Sequence, residues 1–164
     1  MKLTHEQKVL LITSFLITTI LFYSIHKKPK TIVEETSSAT GEEAMYILKD
    51  WKRNFEEKNL NGITNLYTSE GVLVSTFGSI LKGRNEIKDY FDDLFKNENL
   101  KVDFIGKPHI GIIGDLTIFT GVYVFSYTEK GSPVKVKARY SFLCKLFNGK
   151  LFIIKQHSSA FHEK

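Results

Sequence analysis

Four polar side chains near the end of the chain have types and spacing suited to binding an anion: Arg139, Ser141, Gln156 and Ser158. They flank Asn148-Gly149, the dipeptide that most strongly favours a two-residue β-hairpin turn. Such a turn pairs Phe147 with Lys150, and counting outward pairs Arg139 with Ser158 and Ser141 with Gln156. Paired residues share one face of a sheet. Because the guanidinium fork of arginine matches a carboxylate, the pattern predicts a site for a small carboxylate. The alternative is an Arg139 that is solvated on the outer face or paired with a local acid.

The same register places a mostly apolar group on the opposite face of the hairpin: Tyr140, Phe142, Cys144, Ile153 and His157. His157 has two interpretations, an acid or base in the site or a hydrogen-bonded packing or interface residue. Cys144 lies in an apolar strand pattern, which is typical of a small core residue rather than a nucleophile. As the only cysteine it cannot form an intramolecular disulfide.

Aromatic side chains complete the candidate ligand-binding set. Trp51 and Tyr67 fit either core packing or a cavity wall, and Tyr123 fits both roles equally. Asp50 and Asp103 are the candidates for a catalytic base, but we assign no catalytic residue. The sequence contains no Ser-His-Asp order, metal-ligand cluster or glycine-rich phosphate loop. We therefore predict no metal and no cofactor.

The elements that must position these residues fall into two blocks. The first block contains a helix from a Thr40 cap to about residue 58, a short helix carrying Ile63, Leu66 and Tyr67, a strand over 72–76, a loop over 78–83 and a helix over 84–95. The second block is a series of strands over 101–105, 110–113, 116–127, 134–147 and 150–158. This order predicts an α+β fold in which about three N-terminal helices pack on a strongly curved antiparallel sheet. The open end of such a sheet is the default ligand cavity.

The segment Val9 to Ile25 contains no charge, glycine or proline. Its 17 residues would span about 25 Å as a helix, which predicts a transmembrane signal anchor. We expect an N-terminal tail over 1–8, the anchor over 9–25, a linker over 26–39 and a domain over 40–164. A cleaved signal peptide and a buried core helix are the alternatives. Lysines flank the segment on both sides, so its orientation stays open; we favour an extracytoplasmic (periplasmic) domain.

The charge of the chain argues against a nucleic-acid partner. The formal net charge is +5, from 23 basic and 18 acidic residues. Residues 1–39 hold five lysines and three acids, so the remainder has 23 − 5 = 18 basic and 18 − 3 = 15 acidic residues. These charges form no basic helix or basic-aromatic stripe.

Several short segments occur together in a recognisable order: residues 121–125, 138–142, 148–151 and 156–160, followed by Glu163. This arrangement resembles the association domain of calcium/calmodulin-dependent protein kinase II and its bacterial relatives, in the nuclear transport factor 2-like superfamily that also includes SnoaL-like polyketide cyclases. The resemblance implies helices wrapped by a bent sheet, assembly through the sheets into a homodimer or larger ring, and arginines that accept small carboxylates. Where the family has further histidines this chain has Lys155-Gln156, which leaves His157 alone and argues against a metal site.

Three functions remain open at this stage. We favour a membrane-anchored, self-associating module that binds a small ligand without catalysis. The alternatives are an enzyme of the polyketide-cyclase or isomerase type using the same pocket, and a scaffold with no ligand. A buried aspartate in the cavity would favour the enzyme, an inward Arg139 would favour binding, and a cavity filled by Phe and Leu would favour the scaffold.

Overall fold

A computed structural model describes residues 41–161 of the chain. The helices are α1 (Gly41–Glu56), α2 (Leu60–Thr64) and α3 (Gly83–Leu94). The strands are β1 (Tyr67–Val74), β2 (Ile80–Lys82), β3 (Glu98–Ile113), β4 (Leu116–Glu129), β5 (Ser132–Phe147) and β6 (Lys150–Ala160). They form one sheet in the order β2-β1-β6-β5-β4-β3. All neighbours are antiparallel except β1 and β6. The predicted α+β class, with helices packed on a curved, mainly antiparallel sheet, is confirmed.

Helix α1 buries one face against the sheet. Five apolar residues at helical spacing are almost fully buried: Ala44, Ile47, Leu48, Trp51 and Phe55. The chain leaves the helix through Lys58, which has a left-handed backbone with φ of 52°. Asn59 then caps α2 by accepting a hydrogen bond from the Gly62 N–H at 2.9 Å. The predicted Thr40 cap of α1 lies outside the described residues.

Three predicted boundaries were wrong. Tyr67 opens β1 and is not part of the second helix, which ends at Thr64. The predicted loop over 78–83 contains the short strand β2. The two strands predicted over 101–105 and 110–113 are one strand, β3, whose register shifts between Ile105 and His109. Gly106, with φ of +73°, lets the strand bend there without ending.

The core is a cluster of aromatic rings centred on Trp51. Its indole stacks on Phe55 at 5.1 Å and meets Phe142 edge-on at 5.4 Å. Tyr123 lies beside it at 6.3 Å and contacts Tyr140 at 5.0 Å. Such pairs contribute about 0.5–1.5 kcal/mol each beyond the burial of their area. The core therefore holds α1 rigidly over strands β4 and β5.

The β5–β6 hairpin departs from its predicted register at one residue. Phe147 pairs with Lys150 as expected, and the pairing holds to Cys144 and Ile153. Ile154 then has no partner on β5, and Leu143 pairs with Lys155. Beyond this bulge each partner is displaced by one, as the following pairs show: Arg139 with Ser159, Tyr140 with Ser158, Ser141 with His157 and Phe142 with Gln156. The predicted face shared by Arg139, Ser141, Gln156 and Ser158 was therefore wrong, because a one-residue shift moves side chains to the other face.

No helix of residues 41–161 is long and apolar enough to cross a membrane. The predicted anchor over 9–25 lies outside this part of the chain.

Candidate ligand cavity

Two neighbouring cavities lie between the helices and the sheet. The inner chamber has a volume of about 10 Å³ and the following lining: Trp51, Phe55, Leu73, Ser75, Thr76, Tyr90, Phe91, Leu94, Tyr123, Phe125, Gln156 and Ser158. A volume of about 10–15 Å³ is the room that one water-sized group needs. The chamber therefore accepts little more than a single heavy atom.

The vestibule is larger and more apolar. Its volume is about 230 Å³, and its lining is Thr76, Phe77, Tyr90, Leu94, Asn97, Leu100, Phe125, Tyr127, Glu129 and Val136. Four of these residues also line the inner chamber: Thr76, Tyr90, Leu94 and Phe125. The two cavities are therefore adjacent parts of one site.

A chain of hydrogen bonds crosses the wall of the inner chamber. Trp51 Nε1 on α1 donates to Tyr67 Oη on β1 at 3.1 Å. Tyr67 Oη in turn donates to Gln156 Oε1 on β6. All three residues are buried, and burial raises the pKa of Tyr67 well above its usual value. Tyr67 is thus a neutral hydroxyl whose single proton is already committed to Gln156.

A second polar contact lies on the other side of the chamber. The hydroxyls of Thr76 and Ser158 are 2.6 Å apart. Thr76 belongs to the turn after β1, and this turn is closed by the Ser79 N–H donating to Ser75 Oγ at 3.0 Å. The bulge at Ile154 determines this contact too, because it turns both Ser158 and Gln156 inward.

The Tyr123 hydroxyl differs from these hydrogen-bonded groups. Its side chain is fully buried, yet its Oη has no hydrogen-bond partner among residues 41–161. Burial raises its pKa, and its polar neighbours Ser158 and Gln156 oppose that rise. Neither neighbour has the distance and angle of a hydrogen bond to the Tyr123 hydroxyl. A buried hydroxyl without a partner costs about 1–3 kcal/mol of folding free energy. Tyr123 is therefore a neutral, unused hydrogen-bond donor in the wall of the chamber.

The structure separates the predicted site residues into two groups. Trp51, Tyr123, Gln156 and Ser158 line the inner chamber. Arg139, Ser141 and His157 instead point to the outer face of the sheet. The guanidinium of Arg139 is exposed and lies 4.0 Å from the centre of the Phe161 ring. Ser141 and His157 pair with each other on that outer face.

Neither candidate catalytic carboxylate lines the cavities. Asp50 pairs with Arg53 at 2.9 Å, and Asp103 pairs with Lys52 at 3.2 Å. Both carboxylates are substantially exposed to solvent. Among the described residues, no group of three His, Cys, Asp or Glu side chains is placed to hold a metal ion.

Sequence reasoning did not assign Thr76 or Tyr90 to the site, and it missed the hydrogen bonds that Tyr67 makes there. Tyr67 was placed on a helix, where it would not face β6. Thr76 and Tyr90 carry no motif, and only their proximity in the fold shows that they line the site. One signal in the sequence was available for Tyr67: the strand pattern over residues 72–74, which could have been extended back to Tyr67 as the buried start of the strand.

Comparison with known proteins gives the family of this fold. The model of the calcium/calmodulin dependent protein kinase II association domain matches residues 40–162. The chain belongs to this association-domain family. No curated protein matches the chain significantly. The predicted resemblance to the association domain is confirmed by the match of the family model.

Solved structures agree with this assignment. A protein from Xanthomonas campestris, described as an association domain of the same kind, is 28% identical with a TM-score of 0.69, covering 77% of this chain and 91% of its own. A nuclear transport factor 2-like superfamily protein from Salmonella enterica is 14% identical with a TM-score of 0.66, covering 74% and 91%. A ketosteroid isomerase-like protein from Erwinia carotovora is 13% identical with a TM-score of 0.62, covering 73% and 94%. The last two show a shared fold only.

Proposed function

We propose that this association-domain family member is a self-associating module that binds a small molecule in its interior cavity, and that residues 9–25 anchor it to a membrane. The observation that carries the proposal is the two-part cavity, with a polar inner chamber next to an apolar vestibule. Ligand sites in proteins typically combine an apolar wall with a few convergent polar groups. Its two parts, about 10 and 230 Å³, together lie below the roughly 300–1,000 Å³ of typical ligand pockets, so its ligand is correspondingly small.

Binding without catalysis is favoured over an enzyme by the chemistry of the lining. The polar groups of the inner chamber among residues 41–161 are neutral hydroxyls, an amide and an indole. Proton abstraction needs a base with a pKa near the working pH, and burial raises the pKa values of Tyr67, Tyr90 and Tyr123 instead. The two candidate bases, Asp50 and Asp103, are held in ion pairs on the surface. The one carboxylate in the cavity lining, that of Glu129, belongs to the vestibule and not to the inner chamber.

An isomerase-like enzyme is the second candidate, and Tyr123 is the observation that favours it. A buried neutral donor can stabilise negative charge that develops on a substrate oxygen. One of the solved structures with this fold is described as ketosteroid isomerase-like. Turnover of a carbonyl substrate that is abolished by Tyr123→Phe would support this candidate.

Self-association is supported by family membership and by the surface of the sheet. Five large apolar side chains on β3 and β4 are exposed: Ile105, Ile110, Ile112, Ile113 and Ile118. Exposed apolar patches on soluble domains mark interaction surfaces. Several anchors in one assembly would hold it at a single membrane by avidity.

Two measurements on the full chain test these proposals. Its mass in a mild detergent should be a multiple of the 18.8 kDa chain mass, and Ile118→Lys should lower that mass, while the exposed control Lys135→Ala should not. Membrane fractionation should recover the chain with the membranes. A monomer that stays in the soluble fraction would contradict both self-association and anchoring.

The predicted carboxylate ligand can be tested in a thermal-shift screen. Arg139→Ala is the decisive control, because the carboxylate prediction depended on that side chain. Stabilisation by small carboxylates that disappears in Arg139→Ala would support the prediction. Equal stabilisation of both proteins would show that the outer arginine has no part in binding. No stabilisation by any small molecule would favour the scaffold.

A further inference from the structure

We propose that the ligand of this cavity is an uncharged carbonyl compound whose oxygen accepts a hydrogen bond from Tyr123 and whose apolar body occupies the vestibule. The inference rests on the proposed ligand-binding function, because it names the class of molecule that the same cavity takes. It is carried by the contacts of three aromatic residues and by the size and charge of the two cavities.

Several polar groups around the inner chamber already have hydrogen-bond partners. The Trp51 N–H is donated to Tyr67, and the Tyr67 O–H is donated to Gln156. The hydroxyls of Thr76 and Ser158 bond to each other. Within the described part of the chain, the Tyr123 hydroxyl alone among these groups is buried and unpartnered. A tyrosine hydroxyl can both donate and accept, and a ligand that takes up its proton must offer an acceptor.

The inner chamber limits the size of the polar end of the ligand. The inner chamber holds about 10 Å³, which is the space of about one water-sized group. A carbonyl presents a single oxygen on a slim stem. A carboxylate or phosphate brings two or more oxygens that all need partners. The chamber therefore favours the single oxygen of a ketone, aldehyde, ester or amide.

The charge of the cavity lining determines which ligands are favoured. The lining of the inner chamber contains no charged side chain among residues 41–161. The vestibule contributes one charged side chain, the carboxylate of Glu129. An anion would lose its hydration without gaining a cationic partner, which is unfavourable in a buried site. Glu129 in the vestibule lining adds repulsion, so the cavity selects against anions.

The vestibule determines the size and polarity of the rest of the ligand. Seven vestibule residues present aromatic or aliphatic side chains: Phe77, Tyr90, Leu94, Leu100, Phe125, Tyr127 and Val136. Its volume of about 230 Å³ exceeds the roughly 150 Å³ of an engineered apolar cavity that holds benzene. Phe77 is 77% exposed on the turn between β1 and β2, and an apolar ligand would cover it. A six-carbon ring or chain is the body that this space fits.

Three matched probes test the inference on the full chain: cyclohexanone, methylcyclohexane and cyclohexanecarboxylate. Affinities would be measured by ligand-observed NMR. Cyclohexanone should bind most tightly, and Tyr123→Phe should weaken it about fivefold to tenfold, as expected for one net hydrogen bond. Methylcyclohexane should bind the wild type and Tyr123→Phe equally. The matched control is Tyr140→Phe, a buried tyrosine whose ring is 5.0 Å from Tyr123 but which does not line the chamber.

A spectroscopic readout separates hydrogen bonding from a structural effect. The infrared carbonyl band of bound cyclohexanone should lie at lower frequency in the wild type and in Tyr140→Phe than in Tyr123→Phe. An unshifted band, or a cyclohexanone affinity that Tyr123→Phe leaves unchanged, would overturn the inference. So would carboxylate binding as tight as that of the ketone. In each of these cases a ligand still binds, so the proposed function survives. If none of the three probes binds the wild type, the proposed ligand-binding function itself fails.

Discussion

The two halves of the β5–β6 hairpin, on either side of the bulge at Ile154, differ in the side chains that they turn inward. In the half near the Asn148-Gly149 turn, the inward residues of both strands are apolar, as with Cys144 and Ile153. In the half beyond the bulge, β5 still sends Phe142 and Tyr140 inward. Strand β6 now sends Gln156 and Ser158 inward with them.

The difference shows how a single unpaired residue builds a polar chamber inside an apolar core. The bulge leaves the alternation of β5 intact and inverts only that of β6. Bulges are often found next to functional sites because they re-aim side chains in this way. Here the re-aimed side chains meet Tyr67 and Thr76, whose hydrogen bonds compensate for their burial.

Deleting Ile154 together with Lys155 should have the largest effect, because it inverts the alternation of β6 beyond Ile153. The strand would then run from Ile153 directly to Gln156, which turns His157 inward and Gln156 and Ser158 outward. Burying an imidazole without a partner and losing the hydrogen bonds of the chamber should cost about 3–5 kcal/mol of unfolding free energy. Urea denaturation followed by Trp51 fluorescence would measure it.

Deleting Ile154 alone is the matched control. It removes the unpaired residue, but Ile153 and Lys155 already pair with the adjacent residues Cys144 and Leu143. Gln156 and Ser158 should therefore stay inward, and the loss of stability should be smaller. A double deletion as stable as wild type would contradict the role of this alternation.

Tyr67→Phe should have the next largest effect. The substitution leaves the Trp51 N–H and the Gln156 carbonyl without the partner that joins them. We expect a loss of about 1–3 kcal/mol in unfolding free energy, measured in the same urea experiment. A stability equal to wild type would show that the hydrogen bonds from Trp51 through Tyr67 to Gln156 do not stabilise the part of the hairpin beyond the bulge.

Tyr123→Phe makes the same chemical change a short distance away and should have the opposite sign. It removes a buried hydroxyl that has no partner among the described residues, so the ligand-free protein should gain stability, by about 1 kcal/mol. Differential scanning calorimetry without ligand would record a raised melting temperature. A loss comparable to that of Tyr67→Phe would indicate that the Tyr123 hydroxyl has a partner in the folded protein.

Arg139→Ala should have the smallest effect. Its exposed guanidinium stacks on Phe161, and an exposed cation–π contact contributes about 0.5–1 kcal/mol. The thermal unfolding midpoint should therefore fall only slightly, and cyclohexanone affinity should not change. A large loss of ligand affinity would place Arg139 in the site after all and restore the predicted face.

How far the site could be predicted depended on how local its determinants were. Trp51 and Tyr123 were found because helical spacing and strand alternation are written in neighbouring residues. Gln156 and Ser158 line the chamber, but Arg139, which was expected beside them, does not. The register count from the turn could not reveal the bulge at Ile154, five residues beyond Gly149.

The sequence by itself determined the α+β class, the association-domain family, the buried face of α1 and the hairpin turn at Asn148-Gly149. Each depends on periodicity or on turn chemistry, which neighbouring residues specify. Only the tertiary structure decided which face of β6 meets the cavity. Strand β6 also pairs in parallel with β1, and that ladder is itself irregular between Tyr67 and Val72. The Ile153 N–H donates to the Leu66 carbonyl at 2.7 Å, immediately before the bulge. The position of the bulge therefore depends on a strand about 80 residues away in the sequence, and so does the chamber.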